Sequence, residues 1–132
     1  MAQAATLAID DREATPVEHS FVPRKIETEL ATFGESTGVP AGDNILSVSR
    51  RSTAAGTAKV RLRLTMPVVS TDTSTGVTIT SVVRTAYGEV NLSFAPDSTT
   101  QERKNMVGLL ANSLLEAQTV LDATLVDLEN IF

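Results

Sequence analysis

Six consecutive residues, Lys59-Val60-Arg61-Leu62-Arg63-Leu64, alternate cation with aliphatic without a break. Successive side chains of a strand leave opposite faces, so this run as β-structure puts every cation on one face and every aliphatic on the other. The chain must therefore build a sheet with one greasy face to cover and one cationic face to leave open. The alternation lies inside a longer acid-free stretch: Asn44 to Thr71 carries Arg50, Arg51, Lys59, Arg61 and Arg63 and no Asp or Glu, in a chain of net charge -5. Residues 1–43 hold three cations and eight acids, residues 44–96 six and two, and residues 97–132 two and six, giving -5, +4 and -4. Fields from exposed charges decay over about 8 Å at physiological salt, so a polyanion at the middle segment senses mainly the local excess. A row of cations at strand spacing suits such a partner.

The pattern on either side extends the sheet. Residues 5–22 read as a hairpin, with Ala5 to Ile9 and Val17 to Val22 around the turn-rich Asp10-Asp11-Arg12-Glu13, and Pro23-Arg24-Lys25 as its end. Leu30 to Phe33 is a short strand before a loop from Gly34 to Asp43. Ile45 to Arg51 is a strand in which Leu46 and Val48 oppose Ser47 and Ser49, and Ala54 to Thr57 turns the chain into the strand Lys59 to Met66. Ser70 to Gly76, rich in hydroxyls, reads as a long exposed loop. β-branched density returns from Val77 to Val83. In Tyr87 to Phe94 the residues Val90, Leu92 and Phe94 point one way, and Tyr87, Glu89, Asn91 and Ser93 the other.

Helices follow the strands. Two overlapping capping boxes, Ser98 with Gln101 and Thr99 with Glu102, announce a start. Met106, Leu109, Leu110, Leu114 and Ala117 recur at three and four residues, and Val120, Leu121, Leu125 and Leu128 continue the stripe towards Phe132. The phase is unsteady from Asn112 to Glu116, which implies two helices or one bent one across 98–130. Strands followed by helices make an α+β domain spanning 1–132, with the sheet over 30–95 and helices on one of its faces. The tail holds more large aliphatics than one sheet face covers, and surplus apolar surface marks an interface. A homodimer joining sheets edge to edge and crossing helices through Leu109, Leu110, Leu114 and Leu121 would bury it and double the cationic face.

Other functions find little support. With no Cys there is no thiolate nucleophile, metal thiolate or disulfide, and the lone His19 lies in phase with Val17 and Phe21 as a structural, partly buried imidazole. No metal cluster, cofactor motif or glycine-rich phosphate loop appears, and the turn carboxylates Asp72 and Asp97 lack partners, so no catalytic residues are assigned and no small-molecule substrate is expected. Neither a signal peptide nor a membrane span is visible, so the chain reads as unsecreted, with no membrane partner.

The run Val83-Arg84-Thr85-Ala86-Tyr87-Gly88-Glu89-Val90-Asn91-Leu92-Ser93-Phe94, followed at once by Ser98-Thr99-Thr100-Gln101-Glu102-Arg103, resembles the last strand, helix cap and first helix of the coat proteins of single-stranded RNA bacteriophages, closest to the Q-beta-like branch. Val39-Pro40, the Ser-Val-Ser at 47–49, and Lys59 to Leu64 with Pro67 also resemble that family, and the likeness spans about residues 5–128. The resemblance implies an N-terminal β-hairpin, a five-stranded antiparallel sheet, and two C-terminal helices packed across a dimer partner. It implies dimers that tile an icosahedral shell around a single-stranded RNA genome in the bacterial cytoplasm, and a face that grips an RNA hairpin as translational repressor and packaging signal. By position it assigns RNA contact to Ser47, Ser49, Arg51, Lys59, Arg61, Arg63, Tyr87 and Glu89. Two departures stand out. The Q-beta-like loop between long strands carries cysteines that cross-link the particle, whereas residues 69–81 have none, and Arg61 stands where the family often has a neutral residue.

Lys59, Arg61 and Arg63 suit phosphate neutralisation, or a solvated outer face. Tyr87 fits a stacking platform for an unpaired base, or a half-buried aromatic with its hydroxyl in water, while Ser47, Ser49 and Glu89 offer hydrogen bonds to base edges. A dimeric RNA-binding regulator that builds no shell has the same residues.

Overall fold

A computed structural model describes residues 2–74 and 76–132. Thr75, inside the expected loop, and Met1 lie outside the described residues. The chain divides into two compact units, one ending at Ser93 and one spanning Phe94–Phe132.

The first unit is a single antiparallel sheet in sequence order, built from β1 (Leu7–Asp10), β2 (Glu18–Ile26), β3 (Leu30–Glu35), β4 (Asn44–Ser52), β5 (Ala58–Asp72) and β6 (Ile79–Phe94). Parity fixes its faces. Phe33 pairs with Leu46, Ala31 with Val48, Leu46 with Leu64 and Val48 with Leu62, so these aliphatics share one side, and a slip of one residue would turn them all outward. The buried centre is Phe21, Phe33 and Leu46, with Leu7, Ala31, Val48 and Leu64 packed around it.

Several boundaries differ from the sequence reading. The sheet has six strands in all, rather than a hairpin plus five, because Val77–Val83 and Tyr87–Phe94 merge into the 16-residue β6. Nothing from Arg84 to Ala86 interrupts the extended backbone. Pro23 does not end the hairpin: β2 runs on to Ile26, and the register shifts between Pro23 and Lys25. A bulge accommodates a residue with no N–H. Arg24 and Lys25 are thus strand residues, paired with Asp43 at 2.7 Å and Glu27 at 2.8 Å. Likewise β5 outruns its expected end. Its ladder with β4 stops at Ile45–Thr65, so Pro67 costs that ladder no hydrogen bond. The hydroxyl-rich run is strand as far as Asp72, with Thr71 and Thr80 hydroxyls 3.4 Å apart. Threonine's β-branch outweighs its polarity there.

Between β3 and β4 the chain makes a 3-10 turn, Pro40–Gly42. Asp43 anchors it, accepting the Thr37 N–H at 3.1 Å and the Arg24 guanidinium at 2.7 Å. Arg24, then Thr37, hold the Asp43 carboxyl below its ordinary value. The Arg24 side chain lies across the bare Cα of Gly34, in the space a Cβ would occupy.

The second unit contains α1 (Thr100–Ser113) and α2 (Thr119–Leu125). Of the two candidate capping boxes the second forms: Thr99 Oγ1 accepts the Glu102 N–H at 3.1 Å and Glu102 Oε2 accepts the Thr99 N–H at 3.1 Å. Ser98 is taken instead by Arg103, whose Nη1 donates to its carbonyl at 2.6 Å and its hydroxyl at 3.0 Å. Thr99→Ala removes one N-terminal partner and is expected to cost about 1 kcal/mol; urea unfolding should show a lower midpoint at unchanged slope. The break falls where the apolar phase falters. The Ser113 hydroxyl donates to Leu110 O at 2.6 Å, and the Leu114 and Leu115 N–H groups fold back onto Ala111 O and Asn112 O, closing α1 with tight turns. The stripe towards Phe132 does not continue as helix. α2 ends at Leu125, and Leu128 takes φ 61°, a left-handed conformation no helix sustains.

Candidate nucleic-acid interface

The same parity that turns Leu46 and Val48 towards the core drives their neighbours to the other side. Ser47 pairs with Arg63, Ser49 with Arg61 and Arg51 with Lys59. Residues directly opposite in an antiparallel pair project from one face, so six of the eight sequence candidates form two adjoining rows. β6 adds the other two. Arg63 Cζ sits 5.2 Å from the centroid of the Tyr87 ring, a cation–π distance. Arg61 Nη2 meets Glu89 Oε2 at 2.8 Å.

Asn91 and Ser93 belong to this face and were not among the candidates. The Asn91 amide donates to Glu89 Oε1 at 2.9 Å. Both residues line a cavity of about 440 Å³ together with Ser49, Arg51, Lys59 and Arg61. Their alternation with Val90 and Leu92 carried the signal, since it put them in phase with Tyr87 and Glu89.

Electrostatically the face is unbalanced. It carries four cations, Arg51, Lys59, Arg61 and Arg63, against one carboxylate, Glu89. The Asn91 amide first, then the Arg61 guanidinium, pull the Glu89 carboxyl below its ordinary value. It stays an acceptor, with both oxygens engaged. Arg51 and Lys59 face each other directly, a like-charge pairing that destabilises a sheet. No ion pair among the described residues engages Arg51, Lys59 or Arg63. Tyr87 is 66% exposed, so its ring is open rather than half-buried.

The four candidate interface leucines all lie in the second unit, where no helical residue is buried. Leu109 is 74%, Leu114 47% and Leu121 40% exposed, and Leu110 is partly covered. Among the described residues there is no cluster of His, Asp and Glu able to hold a metal ion, and no helix is long and apolar enough to cross a membrane.

The levivirus coat protein family matches residues 2–132. The capsid protein of Pseudomonas phage PRR1 is 40% identical over 131 residues, which cover 99% of this chain and 100% of the relative. In fold, the chain is similar to the virus-like particles of bacteriophage ESE058 (TM-score 0.88, 22% identity, 99% of this chain and 100% of that one) and bacteriophage NT-214 (TM-score 0.84, 24% identity, 99% and 100%). The capsid protein of bacteriophage GA shares it at TM-score 0.78 and 18% identity, over 92% of this chain and 93% of that one. A full-length family match and a relative at 40% identity agree with the strand order and helices already described, and the chain therefore belongs to the levivirus coat protein family, a structural, non-catalytic component of the virion.

Proposed function

We propose that this coat protein dimerises, assembles into a shell and holds single-stranded RNA against the face formed by β4, β5 and β6. The observation that carries the reading is the β4–β5 register, which sets Arg51, Lys59, Arg61 and Arg63 on one surface with two serines between them. Phosphates would meet Arg51, Lys59 and Arg63 first, because these have no carboxylate to give up. That term is strong, salt-dependent and indifferent to sequence, which suits packaging of a whole genome. It would also relieve the Arg51–Lys59 apposition.

Reading of an RNA hairpin needs unstacked bases. The open Tyr87 ring, with Arg63 already against it, offers a stacking surface. Ser47 and Ser49 offer hydroxyls that both donate and accept, and the cavity beside Ser49 is large enough for one base. Glu89 accepts only, so a base amine there would displace Asn91 or Arg61, and a displaced Arg61 gains freedom to reach a phosphate. Hairpin binding on these groups supports repression of translation as well as packaging.

Exposed leucines along α1 and α2 support dimerisation, since a symmetric partner would cover the same surface on both copies. Several neighbours in fold are virus-like particles, which supports shell formation. Electron microscopy and the 260/280 nm absorbance ratio of the purified full-length protein test the proposal together. Large particles with a nucleic-acid spectrum are expected. A species of twice 14.0 kDa that binds RNA and builds nothing would overturn self-assembly by the dimer, and particles free of RNA would remove the cationic face from the reading.

A further inference from the structure

Away from the cationic face, one cluster joins four segments of the first unit. Asp11 sits just past β1 in the β1–β2 connection, and its Oδ1 accepts the Glu13 N–H at 3.1 Å and the Val17 N–H at 3.0 Å. Its Oδ2 lies 2.7 Å from His19 Nε2 on β2. On the other side of the ring, His19 Nδ1 lies 2.8 and 2.9 Å from the two oxygens of Glu35, at the end of β3. Glu35 Oε1 also accepts the Asn44 amide of β4 at 2.8 Å. All three ionisable side chains are partly buried, from 17% to 30% exposed.

The geometry decides the protonation state. A carboxylate only accepts, and a neutral imidazole donates from one nitrogen while its other nitrogen presents a lone pair. Two short contacts to two carboxylates are satisfied together only by the doubly protonated ring. A neutral ring would press a lone pair against one carboxylate. The backbone makes the cluster matter, because the β2–β3 ladder ends at Val22–Gly34. Nearer the turn, β2 pairs only with β1, and the His19–Glu35 contact is the polar tie from that part of the hairpin to β3, beyond the apolar packing of Leu7 and Phe21 on Phe33 and Leu46.

We infer that His19 is a protonation-controlled fastener: as the imidazolium it ties the turn end of the N-terminal hairpin to β3 and β4, and on losing a proton it lets that end lift while Val22–Ile26 and β3 to β6 stay paired. The charged groups facing the ring are Asp11 from the connection and Glu35 from β3; β4 supplies the uncharged Asn44 amide, and β1 sets Ile9 opposite His19 with Asp10 next to it. Hydrogen bonds from Glu35 first, then Asp11, raise the imidazole from 6.5 to about 9. The Val17 N–H first, then His19, lower Asp11 from 3.8 to about 2. The histidine contribution is thus complete below pH 6.5 and lost as pH rises through about 9, while that of Asp11 is complete above 3.8 and lost towards 2. An unperturbed histidine would already be mostly neutral at pH 7.5; this one keeps the hairpin shut across the neutral range.

Because the chain has one histidine, ring-¹⁵N labelling gives a single unambiguous reporter. Magic-angle-spinning NMR of the full-length assembled protein reads it whatever the particle size. The ring is expected to titrate well above 6.5, near 9, with the backbone signals of Leu7–Asp10 moving at the same midpoint and those of β4 and β5 fixed. In Glu35→Gln both midpoints should fall together by at least about one unit, the loss of one charged partner. A ring that titrates near 6.5, or β1 signals that ignore its titration, overturns the proposal. The wild-type titration decides this alone if the variant does not fold.

Discussion

Replacing Lys59, Arg61 and Arg63 together by alanine is expected to strip most RNA from the purified protein and flatten the salt dependence of its RNA affinity. The three side chains are exposed, and the apolar residues between them are untouched, so the sheet itself should persist. Each phosphate contact to a single strand contributes about 0.7 to the slope of log affinity against log salt, so losing three should reduce that slope by about 2. Affinity measured across a salt series from 50 to 400 mM, over which the Debye length shrinks roughly threefold, checks this directly. An unchanged slope would mean that RNA lies elsewhere on the protein. A slope reduced by only about two contacts would show Arg61 still held by Glu89 in the complex.

The second large effect concerns the helices. Leu114→Asp and Leu121→Asp each place a carboxylate where the proposed dimer needs hydrocarbon. Burial of a leucine is worth about 1.5–3 kcal/mol, and in a symmetric dimer the change occurs twice. A loss near 3–6 kcal/mol is therefore expected, raising the dimer dissociation constant by roughly 10² to 10⁴. Sedimentation velocity across a dilution series reads this shift, and circular dichroism separates dissociation from unfolding. A folded variant that stays dimeric to the wild-type dilution would move the interface off these leucines.

How much of this was legible in the sequence follows from what sets each feature. Period-two alternation at Lys59 to Leu64 and at Tyr87 to Phe94 gave the faces correctly, because burying alternate aliphatics leaves no choice of side. All eight face candidates come together for that reason. Asn91 and Ser93 obey the same alternation but carry neither charge nor ring, so phase alone places them on the face. Strand ends were harder to read. Pro23 and Pro67 look like stops, yet one sits at a bulge and the other beyond the β4 ladder, where the missing N–H costs that ladder nothing. The Thr-Ser run hides strand because its composition is that of a loop and its branching that of a sheet. The helix cap at Thr99 was visible, but the choice between two boxes turned on Arg103 taking Ser98. Least legible was the Asp11–His19–Glu35 cluster, whose members lie 8 and 16 residues from the histidine. In-phase spacing marked His19 as structural, but only the register of three strands reveals what it holds.

The arginine draped over Gly34 ties two positions into one heritable unit. Arg24 crosses the empty space above residue 34 to reach Asp43 and brace the turn into β4, so an alanine at 34 would displace it and leave the aspartate to Thr37. Mutational drift along this chain should therefore admit a side chain at position 34 more readily once position 24 has changed, a small island of co-inheritance inside the sheet.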